Sequence, residues 1–266
     1  MKKFFLVVSL IQYVLLLQAA VSDPHDSTIN QTDSKGFKQG HWIVKYDNGK
    51  IKYEGIFKDN HPVGELKRFY DDGVIKAVMI FDQSGTYAKA KIYYDNGELA
   101  AEGNYYDNLK DSLWKYYSYY SKYLTGDEVY QKGKKNGVSH TYYSNGKIAE
   151  ELEYQDNMMN GIWKQYYDNG QLKLETSYIK DIRSGSFTTY YPNGTIETFG
   201  YFANNLMDKK WQYFDDKGTV RMTVEYSQGI PKDPTILDQN DKAYFDLIES
   251  NKGKFPEPKE TDLIPK

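Results

Sequence analysis

The chain has 266 residues with 34 basic and 37 acidic side chains, a net charge of −3. That balance gives no electrostatic footprint for nucleic acid, and it weakens any reading as a binder of anionic membrane lipid. It holds 27 tyrosines, four tryptophans and no cysteine, which excludes disulfides and lipid attachment through cysteine and points away from a conventional layered core.

Met1-Lys2-Lys3 is followed by an apolar run from Phe4 to Leu17 and small residues at Ala19, Ala20 and Ser22. This pattern predicts a secretory signal peptide over residues 1–22, with an uncleaved N-terminal anchor as the alternative. The expected location is therefore secreted, periplasmic or on the outer surface. Leaving out residues 1–22 removes two lysines and no acid, taking the net charge from −3 to −5. Residues 23–35 read as a disordered linker.

From residue 36 to 230 the chain repeats. Gly49, Gly73 and Gly97 are 24 apart, as are Gly146, Gly170, Gly194 and Gly218. With that glycine as position ten, eight units start at 40, 64, 88, 112, 137, 161, 185 and 209. The unit at 112 is one residue longer and lacks the turn glycine. Position three holds Trp42, Trp114, Trp163, Phe187 and Trp211. Position seven holds Tyr46, Tyr70, Tyr94, Tyr143, Tyr167 and Tyr191; position eighteen is aromatic throughout. Such a period is the signature of a repeat architecture.

Each unit reads as strand, Asn-Gly or Asp-Gly turn, strand and polar loop, since those dipeptides supply the positive φ a two-residue hairpin needs. With positions nine and ten as the turn, seven should pair with twelve and three with sixteen. Positions three, seven, twelve, sixteen and eighteen would then form one core face. One buried aromatic is worth on the order of 4–6 kcal/mol before entropy, so stacked neighbours must supply most of the stability. The expected fold is all-β: an elongated single-sheet antiparallel hairpin array. Residues 231–266 are expected to form a capping helix around Asp241 to Glu249 and a flexible tail.

Tyr53-Glu54-Gly55-Ile56-Phe57-Lys58-Asp59-Asn60, followed by Gly64, resembles the MORN repeat. The segment Gly161 to Tyr178 more closely resembles the bacterial MORN variant of YwqK-type antitoxin proteins. The likeness covers about residues 36–230; the units at 64, 88, 112 and 209 depart from it. It implies a non-catalytic interaction scaffold with no catalytic residues, cofactor or metal to carry over, and an antitoxin- or immunity-like role as one form of it.

The residues themselves offer no enzyme constellation. The histidines, His25, His41, His61 and His140, show no metal-ligand spacing and read as surface groups. Ser139-His140 reads as an accident of composition rather than part of a triad. The Asp-Asn-Gly turns are explained by turn chemistry without calcium.

One column resists a purely structural account. Position six reads Phe69, Tyr93, Tyr117, Tyr142, Tyr166, Tyr190 and Phe214, on the face opposite the expected core. Position fifteen beside it carries Glu54, Glu102, Glu151 and Glu175. An aromatic stripe edged with carboxylates is the candidate partner-binding surface; strand propensity alone is the competing explanation. A protein partner is the first expectation. A cell-wall or carbohydrate ligand is the alternative, disfavoured by four unevenly spaced tryptophans.

Overall fold

A computed structural model describes residues 28–238. Nineteen strands follow in chain order. The first nine are β1 (Gln31–Thr32), β2 (Lys38–Lys45), β3 (Ile51–Lys58), β4 (His61–Phe69), β5 (Ile75–Phe81), β6 (Tyr87–Tyr93), β7 (Leu99–Tyr106), β8 (Leu109–Tyr117) and β9 (Leu124–Gln131). Then come β10 (Lys134–Lys135), β11 (Gly137–Tyr142), β12 (Ile148–Gln155), β13 (Met158–Tyr166) and β14 (Leu172–Ile179). The last are β15 (Ile182–Tyr190), β16 (Ile196–Ala203), β17 (Leu206–Phe214), β18 (Val220–Ser227) and β19 (Ile230–Pro231). Each strand pairs antiparallel with the next, except that β10 and β11 both pair with β9. The result is one open antiparallel meander, the hairpin array that the repeat predicts.

The turns correct the expected hairpin geometry. At the Asn-Gly positions only glycine has positive φ, as at Gly49 (83°), and the Gly49 amide bonds the Tyr46 carbonyl. These are three-residue loops, a turn followed by a left-handed glycine, rather than two-residue ones. Two-residue turns with both φ positive lie at the other end of the units starting at 40, 88, 137, 161 and 185: Asp59-Asn60, Asp107-Asn108, Asp156-Asn157, Lys180-Asp181 and Asn204-Asn205. Lys58 pairs directly with His61 across the first of them. The stretch expected to be a polar loop is therefore the tightest turn in the unit.

The longer loop shifts the register between positions five and six, so six rather than seven faces twelve. Lys45 pairs with Ile51, Tyr142 with Ile148 and Tyr166 with Leu172. Position three does pair with sixteen, as Trp42 with Gly55. The buried clusters correct the core face accordingly. They hold residues of positions one, three, fourteen, sixteen and eighteen, such as Ala88, Leu66, Ala101 and Phe57, with Ile92 and Tyr116 of position five packed alongside. Positions seven and twelve are absent from these clusters.

Size is complementary across neighbouring units. Trp114 and Trp211 lie over Gly103 and Gly200, where an added Cβ would come within 2.4 and 2.1 Å of the indole. The same closeness lets each indole Nε1 donate to a backbone carbonyl, of Asn104 at 2.9 Å and Tyr201 at 3.1 Å. Trp163 stands opposite Leu152 instead, and its Nε1 is buried without a partner.

Position seven is a clasp between units. Tyr46, Tyr70, Tyr94, Tyr143, Tyr167 and Tyr191 each donate a hydroxyl to the carbonyl of position six one unit on, at 2.7–2.9 Å. At the opposite rim the tight-turn Asn60, Asn157, Asp181 and Asn205 each accept the amide of a residue one unit back and donate their own amide to its carbonyl. Both rims are thus laced at the repeat period.

Two ends need covering, because an edge strand exposes unpaired backbone. Within the stretch read as a disordered linker, β1 pairs with β2, and the Asn30 amide bonds both the amide and the carbonyl of Ile43. A side-chain amide there mimics one more peptide unit. At the other end residues 235–238 make a helical turn, and Ile236 and Leu237 pack on the Trp211, Val224 and Tyr226 cluster. The helix expected from Asp241 to Glu249, the predicted signal segment and His25 lie outside the described residues.

Candidate binding face

The register fixes what stands on the second face. Cross-strand partners share a face, and position four pairs with position fifteen both within a unit and across to the next. This makes one continuous row of opposed residues: Glu54, Lys67, Val78, Lys91, Glu102, Lys115, Asp127, His140, Glu151, Lys164 and Glu175. Acid and base alternate along it, broken once by Val78. Opposite charges facing each other stabilise a sheet by about 0.2–1 kcal/mol per pair, so the row is a structural device as well as a surface.

All four predicted acids, Glu54, Glu102, Glu151 and Glu175, lie in this row and are half-buried. The predicted aromatics run alongside. Phe69, Tyr93, Tyr117, Tyr142, Tyr166, Tyr190 and Phe214 are all half-buried, and each faces an aliphatic residue of position twelve. Those partners remain open to solvent in part, with Ile75 at 37%, Ile196 at 39% and Val220 at 47%. The stripe is therefore a double band of aromatic and aliphatic side chains.

Stripe and row touch. Tyr117 donates to Glu102 at 2.7 Å, and Tyr142 donates to Asp127 at 2.6 Å. Burial, aided by the neighbouring carboxylate, pushes each phenol up to about 12. At neutral pH both are fixed donors. Burial, with Glu151 adding to it, also raises Tyr166.

Sequence reasoning missed Asp127 and His140. Asp127 holds position fifteen of the longer unit, so a count that ignored the inserted residue would skip it. His140 Nδ1 lies 2.8 Å from Asp127 and its Nε2 lies 3.8 Å from Glu151, so it is a member of the charged row rather than a free surface group. Ser139 and His140 face opposite ways, as successive strand residues must; Ser139 Oγ is buried without a partner. The turn asparagines are engaged locally: Asn48 Oδ1 accepts the Lys50 amide while its Nδ2 donates to Asp71 of the next unit. Among the described residues no three His, Asp or Glu converge as a metal site would require.

Four segments match the family described as MORN repeat variant: residues 38–59, 87–108, 135–156 and 159–180. Each match spans one hairpin with its glycine loop, and the hairpins between and beyond them continue the same sheet. MORN repeats are generally non-catalytic modules for protein or lipid binding. No curated protein matches the chain. Among solved structures, TarM matches at 10% identity over 53% of this chain and 20% of that one, with a TM-score of 0.21. A mutant of S. aureus TarM in complex with Fondaparinux, alpha-GlcNAc-glycerol and UDP matches at 9% identity over 55% and 21%, with a TM-score of 0.22. The chain spans about a fifth of those proteins, and likeness at that level carries no functional argument.

Proposed function

We propose that the chain is a non-catalytic scaffold that recognises another protein on its second face, through the band of position six and position twelve. The observation that carries this reading is the pairing of half-buried aromatics with partly exposed aliphatics in seven successive units. Contiguous apolar surface rimmed by charge is the usual mark of a protein interface. The opposite face is already filled by ring packing between units.

The Lys2-Lys3 start and the apolar run after it support an extracytoplasmic setting. An antitoxin-like role is a special case, with the partner a toxin met outside the cytoplasm. The glycan alternative would use tryptophan walls, and Trp114 and Trp211 are buried in the ring face.

The test replaces Tyr142, Tyr166 and Tyr190 together by alanine and crosslinks the tagged protein in its native organism. Loss of one dominant partner, with the far-ultraviolet spectrum of the sheet kept, supports the reading. Unchanged capture of that partner by the variant overturns it, and capture of envelope polysaccharide in place of protein moves the glycan reading first.

A further inference from the structure

The charged row has one break, and an apolar-floored groove lies over it. Val78 stands where the alternation calls for an acid, between Lys67 and Lys91. A groove of about 420 Å³ opens there, floored by Val78, Ile80, Ala90 and Leu113 and flanked by Lys89, Lys91 and Lys115. Ile80 is 55% exposed and Leu113 44%. The β5–β6 junction beneath it also pairs without a bulge, with Ala77 to Phe81 pairing straight across to Ala88 to Ile92.

The groove's charges are unbalanced. Lys89 faces Ile80 and Asn104, and Lys91 faces Val78 and Glu102. Glu102 is the groove's single carboxylate lining residue, and its Oε1 already accepts from Tyr117. Lys115 lies between Glu102 and Asp127, and Asp127 is engaged by His140 and Tyr142. Lys67, by contrast, is held by Glu65 at 2.7 Å. Among the described residues the ion pairs of this face involve Lys67, His140 and Lys164, and none involves Lys89, Lys91 or Lys115.

From this complementarity we infer that the groove over Val78 docks an acidic, partly aliphatic peptide segment of a protein partner. Its carboxylates would stand among Lys89, Lys91 and Lys115, and its aliphatic side chains on Val78, Ile80 and Leu113. In effect the partner supplies the acid that the row omits. The inference rests on the reading of this face as a protein-binding surface and gives that surface an anchoring point and a charge preference.

Two variants test it in the full chain. Lys89→Glu combined with Lys91→Glu reverses the rim. Val78→Glu completes the alternation from within, so that the groove's lysines gain an internal partner. The probe is a short blocked peptide of alternating Glu and Leu, compared by fluorescence anisotropy with its Gln–Leu and Lys–Leu counterparts. Vesicles of phosphatidylcholine with and without phosphatidylserine are run alongside. The expected result is that the Glu–Leu peptide binds at least about tenfold more tightly than either counterpart, and that both variants lose this margin while keeping the wild-type circular dichroism. Equal binding of the Glu–Leu and Gln–Leu peptides overturns the inference. So does a margin that survives Val78→Glu, or binding to phosphatidylserine vesicles without binding to peptide. If the groove fails while the tyrosine triple variant still loses its partner, this inference falls alone. If the groove holds while the triple variant keeps its partner, the stripe reading falls instead.

Discussion

Residues 135–214 and residues 64–130 are built from the same unit, yet they keep its rules unequally. In the first region the tight turns Asp156-Asn157, Lys180-Asp181 and Asn204-Asn205 recur, and a positive-φ residue follows each at Gly161, Gly185 and Lys209. In the second, one tight turn is replaced by a loop from Asp82 to Tyr87 and one glycine turn by a loop from Ser118 to Tyr123. Val78 interrupts the charged row there, and the groove opens beside it. Glu128 occupies the ring face, where most other units place a small or apolar residue. The periodic hydrogen bonds continue on both sides of the irregular units, so departures from the period are free to shape surface.

The largest effect is expected where the units touch most closely. Gly200→Ala places a methyl 2.1 Å from the Trp211 ring, and Gly103→Ala places one 2.4 Å from Trp114. Overpacking of a filled contact costs about 1–3 kcal/mol, and the indole would also lose its carbonyl. Each should lower the urea midpoint by far more than alanine at Gly64, which has open space and loses only a left-handed backbone preference. Equal losses at all three positions would show that the indole contacts contribute little.

Next comes Glu128, which belongs to the irregular region alone. Burial works to raise its pKa, but Lys135, Tyr130 and Tyr116 all donate to it and hold it below the ordinary carboxylate value. A carboxyl with a depressed folded pKa contributes stability above its unfolded pKa and loses it as pH falls through the folded value. Glu128→Gln should therefore cost about 1.5–3 kcal/mol at neutral pH, and the gap from wild type should close as pH falls below about 4.5. A gap independent of pH between 7 and 3 would show that shape rather than charge is lost. A smaller, local effect belongs to the tyrosine clasp. Tyr167→Phe removes one hydroxyl from the Tyr190 carbonyl and should cost about 1 kcal/mol by urea denaturation.

Much of this was legible in the sequence. The 24-residue period, the Asn-Gly column and the aromatic columns were enough to predict a single antiparallel hairpin array. The stripe at position six was legible as well, because alternation from Trp at position three places it on the far side. What misled the reading was turn chemistry. Asn-Gly satisfies a two-residue turn and a three-residue loop equally, and the choice between them moves position twelve from one face to the other. The tight turns hid in pairs such as Asp59-Asn60 and Lys180-Asp181, since asparagine and aspartate reach left-handed backbone without glycine. The charged row could not be seen until the register was known, because its members alternate between positions four and fifteen of different units.

The smallest predicted effect bears most directly on position one. Gly40, Gly64, Gly137, Gly161 and Gly185 take positive φ there, and Ser112 and Lys209 do the same at 58° and 60°. A side chain in that conformation costs about 1 kcal/mol against glycine. Ser112→Gly should therefore raise stability by about 0.5–1 kcal/mol, seen as a higher urea midpoint with an unchanged slope. Lys209→Gly should gain less, because its Nζ lies 5.1 Å over the Tyr201 ring and that contact is lost. Ala88 occupies the same position without a bulge and is fully buried, so Ala88→Gly should destabilise, by about 1 kcal/mol from chain entropy plus the lost methyl contact. Opposite signs at two equivalent positions would confirm that the unit starting at 88 has left the common backbone path. Matching signs would mean that the bulge is not what separates the groove from the regular sheet.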